Sequence, residues 1–330
     1  MLKQAALGVA LAELGYRLAR FAFADADLSV IDRKIPPGWW AGRVVWITGA
    51  SSGIGEAFAL AVASMGARVV LSARRRPELE RVKAAMENSK QHVVLPMDAE
   101  NFASHESLVV SAAEAMGGQI DVLLLNAGRG GSELAINSGF DSTKRMMELN
   151  VLHCVSLVRL VLPIMMKADR RCCIACTSSL AGKIGVPGGS SYSMTKWALH
   201  GFFESLRFEC DANVDVTMIC PGVVKTDFGT NKLLNPGEAS VTSSATGGKD
   251  MTADRCAHLM AVAISNRLPE VWISAHPELL FTYMFQHFPS TSRALLASVA
   301  RRLLAPLTAE QQDQEAAASQ PAANRQRARL

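Results

Sequence analysis

A chain of 330 residues with 49% hydrophobic content can bury a sizeable core, and one catalytic domain with extensions accounts for it without a second similar domain. Its 34 basic and 30 acidic residues are scattered, so the formal charge of +4 describes a solvated exterior and gives no basic surface for nucleic acid. Glycine is plentiful and only 6% of residues are aromatic, which favours an α/β core over an all-β one.

Residues 1–35 read as an amphipathic N-terminal helix and linker. Leu7, Leu11, Leu14, Leu18 and Phe21 recur at steps of three and four on one face, while Glu13, Arg17 and Arg20 fall on the other. There is no uninterrupted apolar run of about 18 residues to span a bilayer. Nor is there a clean apolar core followed by a small-residue cleavage site, so a removable signal peptide is not expected. Two destinations remain for the stripe: the protein's own body, or a membrane interface with Arg17 and Arg20 among the headgroups.

From residue 43 onward, RVVWITG, ARVVLSA, QHVVLPMD, DVLLLNAG, RCCIACTSS, VDVTMICPG and EVWIS alternate with stretches of helical period such as EAFALAVASM and YSMTKWALHGFFESLRFEC. This alternation predicts parallel strands joined by crossover helices, in a doubly wound α/β domain covered on both faces. Cys173 and Cys176 form a CxxC, but inside an apparent buried strand and with no second ligand pair at zinc spacing. They are read as structural thiols, and no metal is expected.

After the first strand comes TGASSGIG. Gly49, Gly53 and Gly55 let the backbone turn tightly and approach a pyrophosphate, and Ser51, Ser52 and Ile54 lie in the same turn at a helix N-terminus. The second strand ends in LSARRRPE, which offers Arg74 where an NAD site usually places an acid on the ribose hydroxyls. A guanidinium there grips a 2′-phosphate, so NADP(H) is the expected cofactor. Asp98, at the end of the third strand, is a candidate partner for the adenine.

The most specific feature is YSMTK, with Tyr192 and Lys196 on one helical face. Carbonyl reduction needs a proton at oxygen as hydride reaches carbon. A phenol with an ordinary pKa of about 10 does this poorly at neutral pH until a neighbouring ammonium stabilises its anion. Ser179, in TSSLAG, can hold the substrate oxygen.

The 235–250 stretch, NPGEASVTSSATGGKD, is either a mobile lid over the cleft or a plain surface insertion. The apolar and aromatic residues that follow the last strand, including Phe281, Tyr283, Phe285 and Phe288, could cover the sheet edge, the cleft or a membrane. Residues 307–330 have little to bury and are expected to be disordered.

Together these motifs resemble the short-chain dehydrogenase/reductase family over about residues 40–275. The likeness rests on TGASSGIG, the turn Asn126, Ala127 and Gly128, the serine at 179 and the YxxxK pair. It departs at Leu125, where many members carry a second asparagine. The resemblance implies a doubly wound Rossmann-type three-layer sandwich with a mostly parallel seven-stranded sheet and helical extensions. The catalytic domain would span 40–278, a helical extension 279–306 and the tail 307–330. It also implies catalysis by Asn150, Ser179, Tyr192 and Lys196, with Asn150 holding a water that relays protons to Lys196. Tyr192 and Lys196 would further bind the cofactor, Lys196 at the nicotinamide ribose, and Pro221, Gly222, Val224 and Thr226 would flank the carboxamide. A homodimer or homotetramer is expected through the helices after Asn150 and Tyr192.

Stretches beyond the generic motifs, among them FADADLSV, GFFESLR and EVWISAHPELLFTYMFQHFPS, resemble a microsomal, membrane-associated branch of the family. That branch uses NADPH to reduce carbonyls on steroids, retinoids and foreign compounds. The expectation is therefore an NADPH-dependent reductase of a lipophilic ketone or aldehyde, located peripherally at the endoplasmic reticulum membrane. The alternatives are the same chemistry on a lipid intermediate or other small ketone, a nucleotide-binding protein without turnover, and a cytoplasmic location.

Overall fold

The structure, a computed structural model, describes residues 12–13, 15–131, 134–210, 213–229 and 251–301. Leu7, Leu11 and Leu14, the 235–250 stretch and the 307–330 tail lie outside these.

Short apolar runs become strands because both of their faces are covered. In chain order they are β1 (Val44–Thr48), β2 (Arg68–Ser72), β3 (Val93–Val94), β4 (Val122–Leu125), β5 (Cys172–Thr177), β6 (Val214–Pro221), β7 (Val224–Lys225), β8 (Met251–Thr252) and β9 (Glu270–Ile273). All five residues of β1 and all four of β4 are buried. Seven strands form one sheet in the order β3-β2-β1-β4-β5-β6-β9, every pairing parallel. The chain runs outward from β1 through β2 to β3, then crosses back to β4 on the other side of β1. A ligand crevice opens at the carboxyl ends of the strands at such a reversal.

The helices are α1 (Leu28–Ile31), α2 (Gly53–Ser64), α3 (Arg76–Ala85), α4 (His105–Ala115), α5 (Phe140–Met147), α6 (His153–Met166), α7 (Ser190–Glu209), α8 (Ala253–Ser265) and α9 (Glu278–His287). Phe58 and Val62 of α2 join Ile264 of α8 in the core on one face of the sheet. Val109 of α4, Leu157 of α6 and Phe203 of α7 make the core on the other. The result is the expected three-layer sandwich. A π turn, Glu148–Leu152, links α5 to α6 in a single helical run. By length and composition the run Phe140–Met166 could cross a membrane, but Leu157, Val158 and Val161 are buried in the core.

Three local findings differ from the sequence reading or refine it. The third strand is shorter than QHVVLPMD suggested, because Pro96 has no amide to give to the ladder. Leu95 and Met97 still donate to Leu71 and Ala73, which carries Asp98 to the same end of the sheet. Cys173 and Cys176 sit three apart on β5 and therefore join the cores on opposite faces, so one ion cannot bridge them. The β7–β8 pair is a small second sheet that no sequence pattern announced.

The N-terminal stripe divides. Residues 15–22 are helical. Phe21 packs edge-on against His276 and Tyr283, at 4.8 and 5.2 Å between centroids. Asp25 meets Arg255 with two hydrogen bonds, and the Asp27 amide donates to the Trp272 carbonyl at 2.8 Å. Leu18 and Phe23 remain 60% and 91% exposed. Arg17 pairs with Glu13 one turn earlier, as the spacing suggests, but Arg20 turns to Asp32 and Tyr16. Beyond α9, residues 289–301 are again helical.

Candidate active site

The turn between β1 and α2 is built around its glycines. Gly49 and Gly53 adopt left-handed φ values of 69° and 61°, open to glycine at little cost. Gly55 is needed for a different reason: a Cβ there would lie 2.3 Å from the Gly49 carbonyl oxygen and 2.7 Å from Asn126 Nδ2. Thr48 Oγ1 accepts from the amides of Asn126 and Ala127 at 3.0 and 3.1 Å, which stitches the end of β1 to the turn after β4. Ser52 stands at the N-cap of α2 without a side-chain capping bond, so the first-turn amides are left for an anion. Arg81 of α3 braces the turn, gripping Glu56 at 2.7 and 2.9 Å and reaching the Ser51 carbonyl at 3.4 Å. Thr48 opens the TGASSGIG motif, whereas Arg81 belongs to no motif and only the fold brings it in.

One cleft of about 400 Å³ collects nearly every residue singled out in the sequence. Gly49, Ser51, Ser52, Gly53 and Ile54 line it together with Asn126, Ala127 and Gly128, and Asn126 donates to the Gly49 carbonyl at 3.3 Å. Arg74 and Asp98 line it as well, together with Arg75 and Arg129, which the motifs did not single out in this role. One Asp98 oxygen accepts from the Glu100 amide at 3.2 Å. Ser179, Tyr192, Lys196, Pro221, Gly222, Val224 and Thr226 also line the cleft, with Phe228 beside Tyr192 at 6.1 Å between ring centroids. Gly55 and Asn150 lie outside the lining: Gly55 packs under the turn, and Asn150 is buried behind it.

Tyr192 and Lys196 stand one turn apart on α7, with Lys196 Nζ 5.6 Å from the Tyr192 ring centroid. The ammonium donates to the Thr177 carbonyl, the last residue of β5, at 2.9 Å. Ser179 caps a 3-10 turn by accepting from the Ala181 amide at 3.1 Å, and its hydroxyl donates to the Pro221 carbonyl at 3.3 Å. Asn150 sits in the π turn and is 1% exposed. Its Oδ1 accepts from the Arg129 amide at 2.8 Å, and its Nδ2 donates to the Arg129 carbonyl at 2.9 Å and to Thr195 Oγ1 at 3.1 Å. The side chain is thus spent on protein. A water held by Asn150 would have to sit on its main-chain carbonyl, which the Cys154 thiol approaches at 3.6 Å.

A second polar group lies behind Ser179. His200, one turn after Lys196, has Nε2 at 3.1 Å from Ser178 Oγ and Nδ1 at 3.4 Å from Glu270. Lys183 reaches the same carboxylate at 2.7 Å, and Trp272 donates to it at 2.6 Å. Burial would raise the pKa of Glu270, but His200, Lys183 and Trp272 outweigh it and pull the carboxyl down to about 2. Cys220 completes a compact His200, Cys220 and Glu270 group. The Lys183 ammonium meets its carboxylate and burial pushes the Cys220 thiol up, so the group reads as a charge-balanced brace and not a cation site. Burial also holds His153, the residue that follows the π turn, neutral, its pKa down to about 3.

A family model described as short chain dehydrogenase matches residues 43–236. Dehydrogenase/reductase SDR family member 7 of Homo sapiens is 38% identical over 290 residues, covering 83% of this chain and 84% of its own length. A member 7-like protein of Drosophila melanogaster is 32% identical over 270 residues, covering 79% and 82%. Among solved structures, a short chain dehydrogenase/reductase from Burkholderia phymatum in complex with NAD superposes with a TM-score of 0.68 at 26% identity, covering 75% of this chain and 94% of that one. An alcohol dehydrogenase from Thermococcus sibiricus complexed with 5-hydroxy-NADP gives 0.62 at 25% identity, covering 71% and 97%. With these relatives and the YxxxK pair lining its cleft, the chain belongs to the short-chain dehydrogenase/reductase family of oxidoreductases.

Proposed function

We propose that the chain is an NADPH-dependent reductase of lipophilic ketones or aldehydes, working as a homodimer or homotetramer at the surface of the endoplasmic reticulum membrane. The observation that carries the cofactor reading is Arg74. It follows β2, lines the cleft, and has no ion-pair partner among the described residues. The cleft fits a nicotinamide dinucleotide on this structure's own terms. Side chains at Gly49, Gly53 and Gly55 would fill the cradle or strain it, and the α2 amides are uncapped. Gly49 to Gly55 would seat the pyrophosphate, Asp98 the adenine, Asn126 to Gly128 the adenosine ribose side, and Pro221, Gly222, Val224 and Thr226 the carboxamide.

Such a group, once bound, supplies the hydride that reaches the carbonyl carbon. Ser179 and Tyr192 would polarise the carbonyl oxygen, and Tyr192 would give it the phenolic proton, leaving the alcohol. Lys196, held by Thr177, places a positive charge beside the phenolate so formed and binds the ribose. Asn150 contributes by fixing the turn beneath. For oxidation the same proton path runs backwards.

The lipophilic substrate class is supported by the loop after Ser179. Its one charged side chain, Lys183, is turned onto Glu270 and away from the cleft lining, where Phe228 gives an aromatic wall beside Tyr192. Membrane association is supported by the exposed Tyr16, Leu18 and Phe23. Exposed Trp197 and Phe208 on α7 support self-association.

The deciding experiment compares dissociation constants for NADPH and NADH, then follows NADPH consumption with a panel of steroid, retinoid and aromatic carbonyls. Tighter NADPH binding that is lost selectively in Arg74→Ala supports the reading, and equal losses for both nucleotides overturn it. Membrane attachment is best tested with Leu18→Ser/Phe23→Ser. Starting the chain at Ile35 would also remove Asp25 from Arg255 and Asp27 from Trp272. Wild type that stays wholly soluble when membranes are pelleted overturns the attachment.

A further inference from the structure

We propose that Arg129 is a second guanidinium of the adenosine-phosphate seat, acting with Arg74 to select a nucleotide that carries a phosphate monoester on its ribose; this rests on the NADP(H) reading above. The two residues come from the turns after β2 and β4, the strands on either side of β1. Both turns leave the sheet at its carboxyl end, and both arginines line the same cleft.

The backbone of Arg129 is held in place. Asn150 grips its amide and carbonyl at 2.8 and 2.9 Å, and the preceding Gly128 is packed so closely that a Cβ there would lie 3.1 Å from Asn150 Oδ1. The guanidinium is not held. It is half-buried, and among the described residues it has no hydrogen bond or ion pair. Glu100, an acid at that end of the cleft, is paired with Arg145 at 3.7 Å.

Burial lowers the pKa of Arg129, and the charge of Arg74 lowers it further. Two cations facing one cleft repel, Glu100 offsets the charge on Arg129 only in part, and desolvation adds to the cost. A dianionic phosphate reverses both effects. It accepts from two forks of donors and offsets two like charges, which neutral ribose hydroxyls cannot do. An arginine needed only for folding would be expected to spend its donors on protein, as Arg81 and Arg170 do.

The test titrates the full chain with adenosine 2′,5′-bisphosphate and with adenosine 5′-monophosphate, probes that share the base and differ by the ribose phosphate. Arg129→Gln should weaken the bisphosphate by about tenfold or more and leave the monophosphate within about twofold, and Arg129→Lys should restore part of the loss. Unchanged bisphosphate binding in Arg129→Gln, or equal losses for both probes, overturns the role of Arg129. The NADP(H) reading fails separately: wild type would then show no preference for the bisphosphate, and Arg74→Gln would leave both probes alike.

Discussion

The side-chain amide of Asn150 closes a two-way clamp on the peptide of Arg129, accepting from its amide and donating to its carbonyl across 21 residues of sequence. Helix geometry makes this possible, since the π turn Glu148–Leu152 sets Asn150 beneath the turn that follows β4. Asn150→Ala leaves two partly buried backbone groups without partners and should cost about 1–3 kcal/mol. Urea unfolding measures the loss, and nucleotide titration should show weaker binding as the Asn126 to Arg129 turn loosens. Wild-type values in both would mean that the clamp is idle.

Tyr192→Phe keeps the ring beside Phe228 and removes only the hydroxyl. Turnover with a validated carbonyl should fall about a hundred- to ten-thousandfold while the NADPH dissociation constant holds, because general acid catalysis is lost and the cleft is not. A variant with wild-type turnover would take Tyr192 out of the chemistry.

Gly55→Ala tests the cradle from below. Its new Cβ would stand 2.3 Å from the Gly49 carbonyl oxygen, so the turn must shift. Overpacking of this kind costs about 1–3 kcal/mol. Both the melting temperature and nucleotide affinity should fall, whereas Gly117→Ala, at a glycine with no neighbouring atoms within 4 Å, should leave affinity unchanged.

Glu270 predicts an acid limb in stability. Its folded pKa of about 2 lies below the ordinary 4.5, so its contribution is complete above the ordinary value and disappears as pH falls towards the folded one. Melting temperatures measured between about pH 5 and pH 2 should drop less steeply in Glu270→Gln than in wild type. Parallel slopes would show that the Lys183 and His200 contacts carry no net stabilisation.

The sheet was legible because β-branched runs such as RVVWITG have only one economical environment, a strand buried on both faces. The cleft was legible because a glycine turn, an arginine after the second strand and YxxxK each express a local constraint. What escaped depends on residues that meet only after folding. Arg81 touches Ser51 across 30 positions, and Asp25 finds Arg255 across 230. No periodicity encodes such pairs. Arg20 is a case in point: the stripe pattern placed it opposite the apolar face, but a partner twelve residues on decided where its charge went.

The seat of the N-terminal segment also has a consequence in time. Asp25 and Asp27 are synthesised well before their partners Arg255, Trp272 and Tyr283. At roughly 5–20 residues per second, the 230 positions between Asp25 and Arg255 correspond to on the order of ten to fifty seconds of translation. Throughout that interval Phe21 lacks its ring partners His276 and Tyr283. Docking onto β9 and α9 is therefore a late event in the nascent chain, completed after the last strand of the sheet has left the ribosome.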